Sequence, residues 1–287
     1  MKQITAEGLH DAYKKCLDLI YHRPEYISKP RGQKINEVLG LTVEILDPTI
    51  NLFTNKVRGI DRKYLSQEIA LYYAGENGLF NKNKSGLGFG KASKFWEKIA
   101  NKDNTVNSAY GHLLFVEQEG ERQSQWEWLL QSFKDDIDTR QAIAHINRPF
   151  HQYRENKDFV CTMSYHFFVR YGKLHLHVHR RSQDLFFGLT YDAPWEMFLM
   201  QSMLRELQHI YPNIDLKLGT YTLFIGSAHI YERNFDIISK MLKHKFEPER
   251  VNIGNFLPMN IEVQELVRKG TVKIPQLDFT KWLLDNI

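Results

Sequence analysis

Apolar residues spaced three and four positions apart predict several amphipathic helices along the chain. The first covers residues 5–21, and its predicted buried face consists of Leu9, Ala12, Tyr13, Cys16, Leu19 and Ile20. The same spacing predicts helices at residues 64–74, 93–100, 123–133, 193–210 and 235–242. Helices therefore occur along most of the chain, with other patterns between them.

Strand-like alternation fills several of the intervals between these helices. It predicts strands at residues 35–45, 142–146 and 221–225. Residues 159–170 and 173–181 are rich in β-forming side chains and flank Tyr171-Gly172, which is a hairpin signal. Residues 77–90 are rich in Gly, Asn and Lys and indicate a loop, whereas the tail after Gly254 has no strong pattern.

The order of these elements indicates the fold class. Helices and strands are interspersed without regular βαβ spacing, which predicts an α+β fold with one large mixed or antiparallel sheet flanked by helices. A chain of 287 residues fits one large domain. We expect a single domain over residues 1–287, in which residues 253–287 are a C-terminal extension without an assigned role.

Composition and charge narrow the classes of function. Hydrophobic residues make up 43% and charged residues 25%, which is typical of a globular protein with a sizeable core. The net charge of +4 suits an anionic ligand such as a phosphate ester, but no run of five Lys or Arg indicates a nucleic-acid surface. Two cysteines do not make a disulfide framework, and no stretch is long and apolar enough for a membrane span. We expect a cytoplasmic protein without membrane or nucleic-acid partners.

A cysteine and a cluster of cations carry the candidate chemistry. Cys161 lies in a predicted strand, where a free cysteine is most often a small buried hydrophobe. About twenty residues later, Arg180-Arg181-Ser182 combines guanidinium fork donors with a hydroxyl, which suits binding of a phosphate. A nucleophile beside a phosphate site would account for both features.

The order of these motifs resembles the thymidylate synthase family. Members carry a Pro-Cys-His segment, then Gln-Arg-Ser-x-Asp-x-x-x-Gly, Phe-Asn-x-Ala and Asp-x-His-x-Tyr. The corresponding segments here are Val160-Cys161-Thr162, Arg180-Arg181-Ser182-Gln183-Asp184 through Gly188, Tyr191-Asp192 and Ser227-Ala228-His229-Ile230-Tyr231. Upstream, the similar positions are Ser108-Ala109-Tyr110-Gly111, Thr139-Arg140-Gln141, Glu68, Trp96 and Arg31.

Some departures from the family pattern point to the base of the substrate. Asp192 replaces the Asn that reads uracil, and a carboxylate can only accept hydrogen bonds, which suits the amino group of cytosine. Together with Cys161-Thr162 in place of Cys-His, this resembles the phage-type deoxycytidylate hydroxymethylases and is compatible with a phage origin. Gln141 replaces a phosphate-binding Arg, and Arg180 stands where synthases carry Gln, so Arg180 is a candidate source of the missing charge.

The resemblance implies a reaction and a role for each matching residue. The Cys161 thiolate would add to C6 of the pyrimidine ring of a nucleoside monophosphate, and C5 would receive the one-carbon unit of 5,10-methylenetetrahydrofolate. The implied catalytic residues are Cys161, Glu68, Tyr110 and Asp192. The phosphate would be bound by Arg31, Arg181 and Ser182, and by Arg140 from the partner subunit of a homodimer. The sugar would be bound by His229 and Tyr231, and the folate by Trp96, Asp184 and Gly188.

Two readings remain alternatives to deoxycytidylate hydroxymethylation. The same chemistry ending in a methyl group would make the chain a thymidylate synthase-type enzyme acting on uridylate or cytidylate. An inactive relative that binds RNA or a protein is compatible with the charge of the chain. Such a relative would not need the set of Cys161, Glu68 and Tyr110.

A group of alternate histidines raises the separate question of a metal site. His175, His177 and His179 share one face of a predicted strand, and such histidines can ligate zinc. No Cys, Asp or Glu joins them in sequence to complete a site. We therefore predict a polar strand face or a subunit interface here, and no metal.

Overall fold

The computed structural model describes residues 2–119 and 123–287, which form two compact units. The first unit comprises Met1–Ile60, Ser164–Leu204 and Ile214–Asn252. The second unit comprises Asp61–Met163, Arg205–Asn213 and Ile253–Ile287. Each unit is thus built from segments that are distant in sequence. A single domain over residues 1–287 stays a prediction.

The elements observed in the described residues follow the chain in this order. The strands are β1 (Lys2–Ala6), β2 (Tyr26–Ser28), β3 (Ile35–Ile45), β4 (Leu52–Asn55), β5 (Gln118–Glu119), β6 (Gln123–Ser124), β7 (Ile143–His145), β8 (Thr162–Arg170), β9 (Lys173–Asp184), β10 (Lys217–Tyr231) and β11 (Phe246–Glu249). The helices are α1 (Leu9–His22), α2 (Arg62–Tyr73), α3 (Phe89–Ala92), α4 (Lys94–Ile99), α5 (Tyr110–Phe115), α6 (Gln125–Asp135), α7 (Gly188–Ile210), α8 (Phe235–Leu242), α9 (Ile261–Lys269) and α10 (Asp278–Asn286).

A mixed sheet forms the centre of the first unit. Its strand order is β1-β3-β10-β9-β8, and β2 pairs with the other half of the β3 edge that β1 occupies. β10 runs antiparallel to β3 and parallel to β9. At the turn between β8 and β9, Tyr171 and Gly172 both have positive φ, 50° and 71°, as a tight hairpin turn requires. The predicted α+β class with a mixed sheet is confirmed.

The N-terminal segment differs from its prediction. Residues 2–6 form β1, parallel to residues 41–45, instead of the start of a helix. Helix α1 begins only at Leu9, after the extended Gly8, and buries Leu17 rather than Leu19. The alternation of polar and apolar residues in Gln3-Ile4-Thr5-Ala6 is typical of a strand. The prediction extended the helical spacing that follows Gly8 back to residue 5 and therefore missed this strand.

Helices and aromatic rings form the core of the second unit. Helix α2 contacts α5, α9 and α10. Tyr73 at its end packs against Phe115, Phe256 and Phe279. The tail after Gly254, for which no element was predicted, contains α9 and α10. Helix α9 is delimited by the cap Asn260 and by Gly270, whose φ of 75° suits glycine.

Three further boundaries differ from the predictions. Helix α7 begins at Gly188 instead of residue 193, although Pro194 lies inside it. Strand β10 extends over 15 residues, whereas only residues 221–225 were predicted. Strand β8 begins at Thr162 instead of residue 159, so Cys161 lies just before the strand and not inside it. No described helix is long and apolar enough to cross a membrane.

Candidate active site

Glu68 is a buried carboxylate held by two tyrosines of its own helix. It lies in the middle of α2 and is 5% exposed. The hydroxyl of Tyr64 donates to Glu68 Oε1 at 2.7 Å, and that of Tyr72 donates to the same oxygen at 3.2 Å. Both tyrosines are four residues from Glu68, which places all three on one side of the helix. The local sequence therefore fixes one carboxylate oxygen.

Tyr110 packs directly against this carboxylate cluster. Its ring lies 5.4 Å from that of Tyr72, and Tyr110 is almost fully buried at the start of α5. A Cβ on the next residue, Gly111, would lie 1.7 Å from the carbonyl oxygen of Tyr72. Only glycine permits this approach of α5 to α2. The structure thus brings the predicted residues Glu68 and Tyr110 together through Tyr72.

Trp96 continues this row of rings on α4. Phe89 contacts both Tyr72, at 5.9 Å, and Trp96, at 5.0 Å between ring centroids. The indole Nε1 of Trp96 is buried and has no hydrogen-bond partner among the described residues. A buried donor without a partner is costly, and such a group is satisfied when a ligand supplies an acceptor. The expected contact of Trp96 with folate stays a prediction, and its unpartnered indole nitrogen is the group that would donate to such a ligand.

Cys161 ends an irregular segment that side chains hold in place. Asn147 Nδ2 donates to the carbonyl of Val160 at 2.8 Å, and Asn107 Nδ2 donates to that of Asp158 at 3.2 Å. Cys161 is partly exposed, whereas the following Thr162 is fully buried. Residues 159–161 lie outside the strands, and the side-chain amide of Asn147 binds the backbone carbonyl in the middle of this segment.

Asp158 connects this segment to the one that carries Tyr110. Its Oδ2 accepts the backbone N–H of Ser108 at 2.7 Å, and its Oδ1 accepts the Ser108 hydroxyl at 2.5 Å. Asp158 and Ser108 are both buried. Two short hydrogen bonds to one carboxylate make a strong, directional link. The link therefore joins the start of the segment that carries Cys161 to Ser108, which lies two residues before Tyr110.

Arg140 completes the predicted residues of the second unit. It is exposed in the turn between α6 and β7. Its neighbour Gln141 is also exposed. An exposed arginine in a short turn is accessible from outside the unit, which is compatible with the predicted donation to a partner subunit.

The first unit places four of the polar motif residues side by side on β9 and β10. The parallel register pairs Ser182 with Ser227 and Asp184 with His229. Residues opposite each other on neighbouring strands share a face of the sheet. The hydroxyl of Ser227 also makes a short hydrogen bond to Glu37 of β3. The two predicted motifs therefore meet although more than forty residues separate them.

Asp184 is partly buried and His229 is buried, and each affects the protonation of the other. Burial raises the pKa of Asp184, and the nearby His229 opposes this shift. Burial lowers the pKa of His229, and Asp184 opposes that shift in turn. Asp184 Oδ1 also accepts the backbone N–H of Phe186 at 2.9 Å, which shapes the turn before α7. Each of the two groups therefore stabilises the charged form of the other.

The predicted phosphate ligands of the first unit are solvent-facing cations. Arg181 is exposed on β9, and its guanidinium donates to the Ser182 hydroxyl at 3.2 Å. Arg31 is exposed in the short turn Pro30–Gly32 and has a positive φ of 51°, which is unusual for a residue with a side chain. The predicted sugar ligand Tyr231 stacks edge-on against His229 at 5.3 Å, and the Arg233 guanidinium lies over its ring at 4.0 Å.

Asp192 belongs to a buried charge network and not to a helix cap. Because α7 begins at Gly188 and not at the predicted residue 193, Asp192 lies inside the helix and is not the residue that caps its N-terminus. Arg180 Nη1 donates to Asp192 Oδ2 at 3.0 Å, and Gln183 Nε2 donates to the same oxygen at 2.9 Å. The other guanidinium nitrogen, Nη2, makes a short ion pair with Glu196, one turn further along the helix.

The position of Arg180 contradicts its expected role as a source of the phosphate-binding charge that is missing at Gln141. This side chain is fully buried between two carboxylates, so it does not replace the phosphate-binding charge lost at Gln141. Glu196 also accepts a hydrogen bond from the Tyr221 hydroxyl at 2.6 Å. Burial raises the pKa of Glu196 to about 7, against the opposing effect of Arg180.

Gly188 has a packing role beside this network. A Cβ at this position would lie 2.5 Å from Gln183 Nε2 and 3.3 Å from Asp192 Oδ2. Any larger residue would displace the amide that donates to Asp192. The structure therefore relates Gly188 to the position of Asp192, while its predicted contact with folate stays a prediction.

Two of the three alternate histidines pack against aromatic rings, and His175 forms hydrogen bonds with Thr220. His179 stacks on Phe224 at 4.8 Å, and His177 lies 5.1 Å from Phe168. Burial lowers the pKa of His177 to about 4, helped by neighbouring histidines. Within residues 2–119 and 123–287, no group of three His, Cys, Asp or Glu side chains is arranged to hold a metal ion.

Comparison with known proteins places this arrangement in a family. The model of the family described as thymidylate synthase matches residues 11–268. The chain belongs to the thymidylate synthase family. Its members use 5,10-methylenetetrahydrofolate. The resemblance drawn from the motifs is confirmed, and the matched region contains every motif residue from Arg31 to Tyr231.

Both branches considered from the sequence are represented among the relatives. The deoxycytidylate 5-hydroxymethyltransferase of Enterobacteria phage T6 is 25% identical over 79% of this chain and 88% of its own length. The thymidylate synthase of Bacillus subtilis subsp. natto is 27% identical over 53% of each chain. A solved thermostable thymidylate synthase A from Bacillus subtilis shares the fold of this thymidylate synthase family member, with a TM-score of 0.60 over 85% of this chain and 86% of that one, at 17% identity.

Sequence reasoning missed several members of the site. It did not identify the partners of Asp192, namely Gln183 and Glu196, or the tyrosines that bind Glu68. One signal was available, because Asp192 and Glu196 are four residues apart and so share a helix face. Their common partner Arg180 lies on β9, and no local pattern reveals a contact between a strand and a helix.

Proposed function

We propose that this thymidylate synthase family member hydroxymethylates C5 of deoxycytidylate. The observation that carries the proposal is Asp192, a carboxylate at the position where the family pattern has the uracil-reading Asn. A carboxylate accepts hydrogen bonds, so it suits the amino group of cytosine and repels the carbonyl that uracil has at the same place. The similarity to phage deoxycytidylate 5-hydroxymethyltransferases supports the same substrate.

Cys161 is the proposed nucleophile. Its thiolate adds to C6 of the pyrimidine, which makes C5 nucleophilic and divides a difficult substitution into two easier steps. The links from Asn147, Asn107 and Asp158 hold the thiol's segment in one conformation. Positioning of this kind is a major part of catalysis, because the reacting atoms must approach within about 3–3.5 Å in the right direction.

The remaining predicted residues take the roles that their motifs imply. Arg31, Arg181 and Ser182 bind the phosphate with Arg140 of the partner subunit, and His229 and Tyr231 bind the sugar. Trp96 and Asp184 hold the folate, which when bound supplies the one-carbon unit. Glu68 orients water. Tyr110 contacts Tyr72, which donates a hydrogen bond to Glu68, and Tyr110 orders the hydrogen-bond network that removal of the C5 proton requires.

The final step distinguishes two products. After C5 carries an exocyclic methylene group, attack by water on that carbon gives hydroxymethyl, whereas delivery of a hydride gives methyl, and either addition expels the Cys161 thiolate from C6. Methylation is the second candidate, and the similarity to Bacillus thymidylate synthases favours it. Dihydrofolate appears only when the folate gives up a hydride, so its absorbance during turnover identifies the methyl product.

The substrate is tested by releasing tritium from C5 of four nucleotides. We expect turnover of dCMP to exceed that of dUMP, CMP and UMP with the wild-type protein and methylenetetrahydrofolate. In Asp192→Asn, the ratio of kcat/KM for dCMP to that for dUMP should fall by at least about two orders of magnitude, because a site built around hydrogen bonds strongly rejects a base that lacks the partner. An unchanged ratio in a folded variant would remove the support for cytidylate.

A further inference from the structure

Two donors converge on a single oxygen of Asp192. Arg180 Nη1 and Gln183 Nε2 both bind Oδ2, at 3.0 and 2.9 Å. The Asp192 side chain is 21% exposed, whereas that of Arg180 is fully buried. Among the described residues nothing donates to Oδ1 of Asp192. The protein therefore binds Oδ2 of Asp192 from two sides and holds the side chain at that atom.

Arg180 is fixed from both sides. Its second amino group pairs with Glu196, which the Tyr221 hydroxyl holds through the other carboxylate oxygen. A planar guanidinium bound to two carboxylates cannot rotate without breaking a buried ion pair, which is costly. Arg180 thus keeps the plane and the rotamer of Asp192 constant.

Gln183 is constrained in the same way. Its amide nitrogen donates both to Asp192 and to the carbonyl of Asp184, at 2.9 and 3.3 Å, so both neighbours require the NH₂ group on this side. Its Oε1 is buried and has no hydrogen-bond partner among the described residues. A buried acceptor without a partner offers a second place for a donor.

We propose that Arg180 and Gln183 determine base specificity by holding Asp192 so that only Oδ1 faces the base. This inference rests on the proposed function. The site then accepts hydrogen bonds at Oδ1 and offers no donor to a base carbonyl. Without the two residues, Asp192 can rotate, exchange its oxygens or bind water, and its preference for an amino group weakens.

Arg180→Gln and Gln183→Met test the proposal separately. The first removes the charge, and the second removes the amide while keeping the length of the side chain. For each folded variant, the dissociation constants and kcat/KM values of dCMP and dUMP are measured. We expect the dCMP-to-dUMP ratio to fall about tenfold or more in Arg180→Gln and about threefold or more in Gln183→Met, in the range of a lost hydrogen bond. Gln183→Met keeps the test valid if Arg180→Gln does not fold.

Tyr221→Phe is the matched control. It removes a hydrogen bond to Glu196 in the same network, and this bond does not involve Asp192. We expect lower thermal stability and a base ratio within about threefold of wild type, because the binding oxygen of Asp192 is unaffected. Arg180→Lys should restore part of the ratio lost in Arg180→Gln, since it returns the charge without the fork.

The outcomes separate the two proposals. If the wild type does not favour dCMP over dUMP in binding and turnover, cytidylate specificity is refuted, and the inference falls with it. If the wild type favours dCMP but folded Arg180→Gln and Gln183→Met keep the wild-type ratio, the inference alone is refuted. A shift in Tyr221→Phe as large as that in Gln183→Met would also overturn it, because general loosening of the network would then explain the effect.

Discussion

The two cysteines differ in their exposure to solvent, and this difference indicates which of them can react. Cys16 is fully buried on α1, and burial raises its pKa to about 12. Cys161 is partly exposed at the end of the segment held by Asn147 and Asn107. A thiol that cannot ionise is a poor nucleophile, so only Cys161 has the access that the proposed reaction needs.

Replacing Cys161 should therefore abolish turnover without loss of binding. In Cys161→Ser, we expect tritium release to fall by more than about a thousandfold, because the nucleophile that divides the reaction into steps is lost. Binding of dCMP should stay within a few-fold, since no proposed phosphate ligand changes. Isothermal titration and tritium release measure the two effects.

Cys16→Ala is the control for this variant. It removes the other thiol, and we expect a lower melting temperature with nearly normal turnover, since a buried side chain loses packing. Turnover in Cys161→Ser within tenfold of wild type would refute the nucleophile assignment. The same pair of variants also serves in covalent trapping with a 5-fluoro nucleotide and folate, in which only Cys16→Ala should form the adduct.

Several secondary-structure elements could be predicted from the sequence, and the exceptions have physical causes. Helix α8 lies at the predicted residues 235–242, and the hairpin at Tyr171-Gly172 is as predicted, because both depend on local patterns. The start of α7 was missed because Gly188 and Pro194 are ordinarily helix-breaking residues. Residues 159–161 look like a strand because they are apolar, but they lie outside the strands, and Asn147 binds the carbonyl of Val160 while Asn107 binds that of the preceding Asp158.

The link between Asp158 and Ser108 gives a prediction about two elements. Ser108→Ala removes the 2.5 Å hydrogen bond but leaves the backbone N–H of residue 108 bound to Asp158. We expect kcat to fall about tenfold, with KM for the nucleotide nearly unchanged, because the Cys161 segment loses its precise position relative to Tyr110. Steady-state kinetics measure both constants.

Ser132→Ala is the matched control for Ser108→Ala. Ser132 is a buried serine of the same unit, and its hydroxyl donates to the carbonyl of Trp128 within α6. We expect a loss of stability of comparable size in the two variants, about 1 kcal/mol, but a loss of kcat only in Ser108→Ala. Equal kcat in the two variants at equal stability would contradict a positioning role for Ser108.

Glu196 gives a prediction about the pH dependence of stability. Burial raises its pKa from about 4.5 in the unfolded chain to about 7 in the folded state, so the folded state binds the extra proton between these values. The contribution of Glu196 is fully present below the lower value and is lost as the pH rises through the higher one. In Glu196→Gln, the decline in the free energy of unfolding from pH 4.5 to 7 should be smaller than in wild type. The difference should be on the order of 3 kcal/mol, because a tenfold change in proton affinity corresponds to roughly 1.4 kcal/mol.

Denaturant unfolding at several pH values tests this prediction. The charged and titratable neighbours of Glu196 are Arg180 on β9, Asp192 on α7 and Tyr221 on β10. Tyr221→Phe keeps the carboxylate and should therefore keep a decline with pH, which makes it the comparison for Glu196→Gln. Parallel curves for wild type and Glu196→Gln would show that another group carries the titration.

At the scale of the whole molecule, the candidate residues could be identified but their partners could not. Motif order located Glu68, Tyr110, Asp184 and His229. Tyr72 connects the first two, and the last two are opposite each other on neighbouring strands, each pair within one unit. The burial of Arg180 was not predictable, because its sequence neighbours Arg181 and Ser182 are accessible and its two acidic partners lie on another element. This changes the charge available to a phosphate, since Arg180 cannot compensate for Gln141.

The phosphate site therefore needs a cation from elsewhere, which leads to a prediction about assembly. Arg180 is paired with Asp192 and Glu196, so the exposed cations among the proposed phosphate ligands are Arg31 and Arg181 in the first unit and Arg140 in the second. If Arg140 of the partner subunit completes the site, the active protein is a homodimer. Sedimentation at micromolar concentration should then show a dimer, and a fully active monomer would refute the proposal.

Subunit mixing tests the shared site directly. Cys161→Ser lacks the nucleophile but supplies Arg140, whereas Arg140→Ala keeps the nucleophile but supplies no arginine. After the two inactive proteins are unfolded together and refolded in equal amounts, random pairing makes half of the dimers mixed, and each mixed dimer has one complete site. We expect about a quarter of the wild-type activity to return, as the symmetry of an isologous dimer requires.

Arg268→Ala is the control for the loss of an exposed arginine in this experiment. Arg268 lies on α9, outside the proposed site, so Arg268→Ala should be active without any mixing, whereas Arg140→Ala should not. The mixture of Cys161→Ser and Arg140→Ala has a second possible outcome, in which it sediments as a dimer but stays as inactive as its parents. Because a mixed dimer contains a complete site only when the arginine crosses the subunit boundary, that outcome would mean that Arg140 acts within its own subunit, and the shared phosphate site would be refuted.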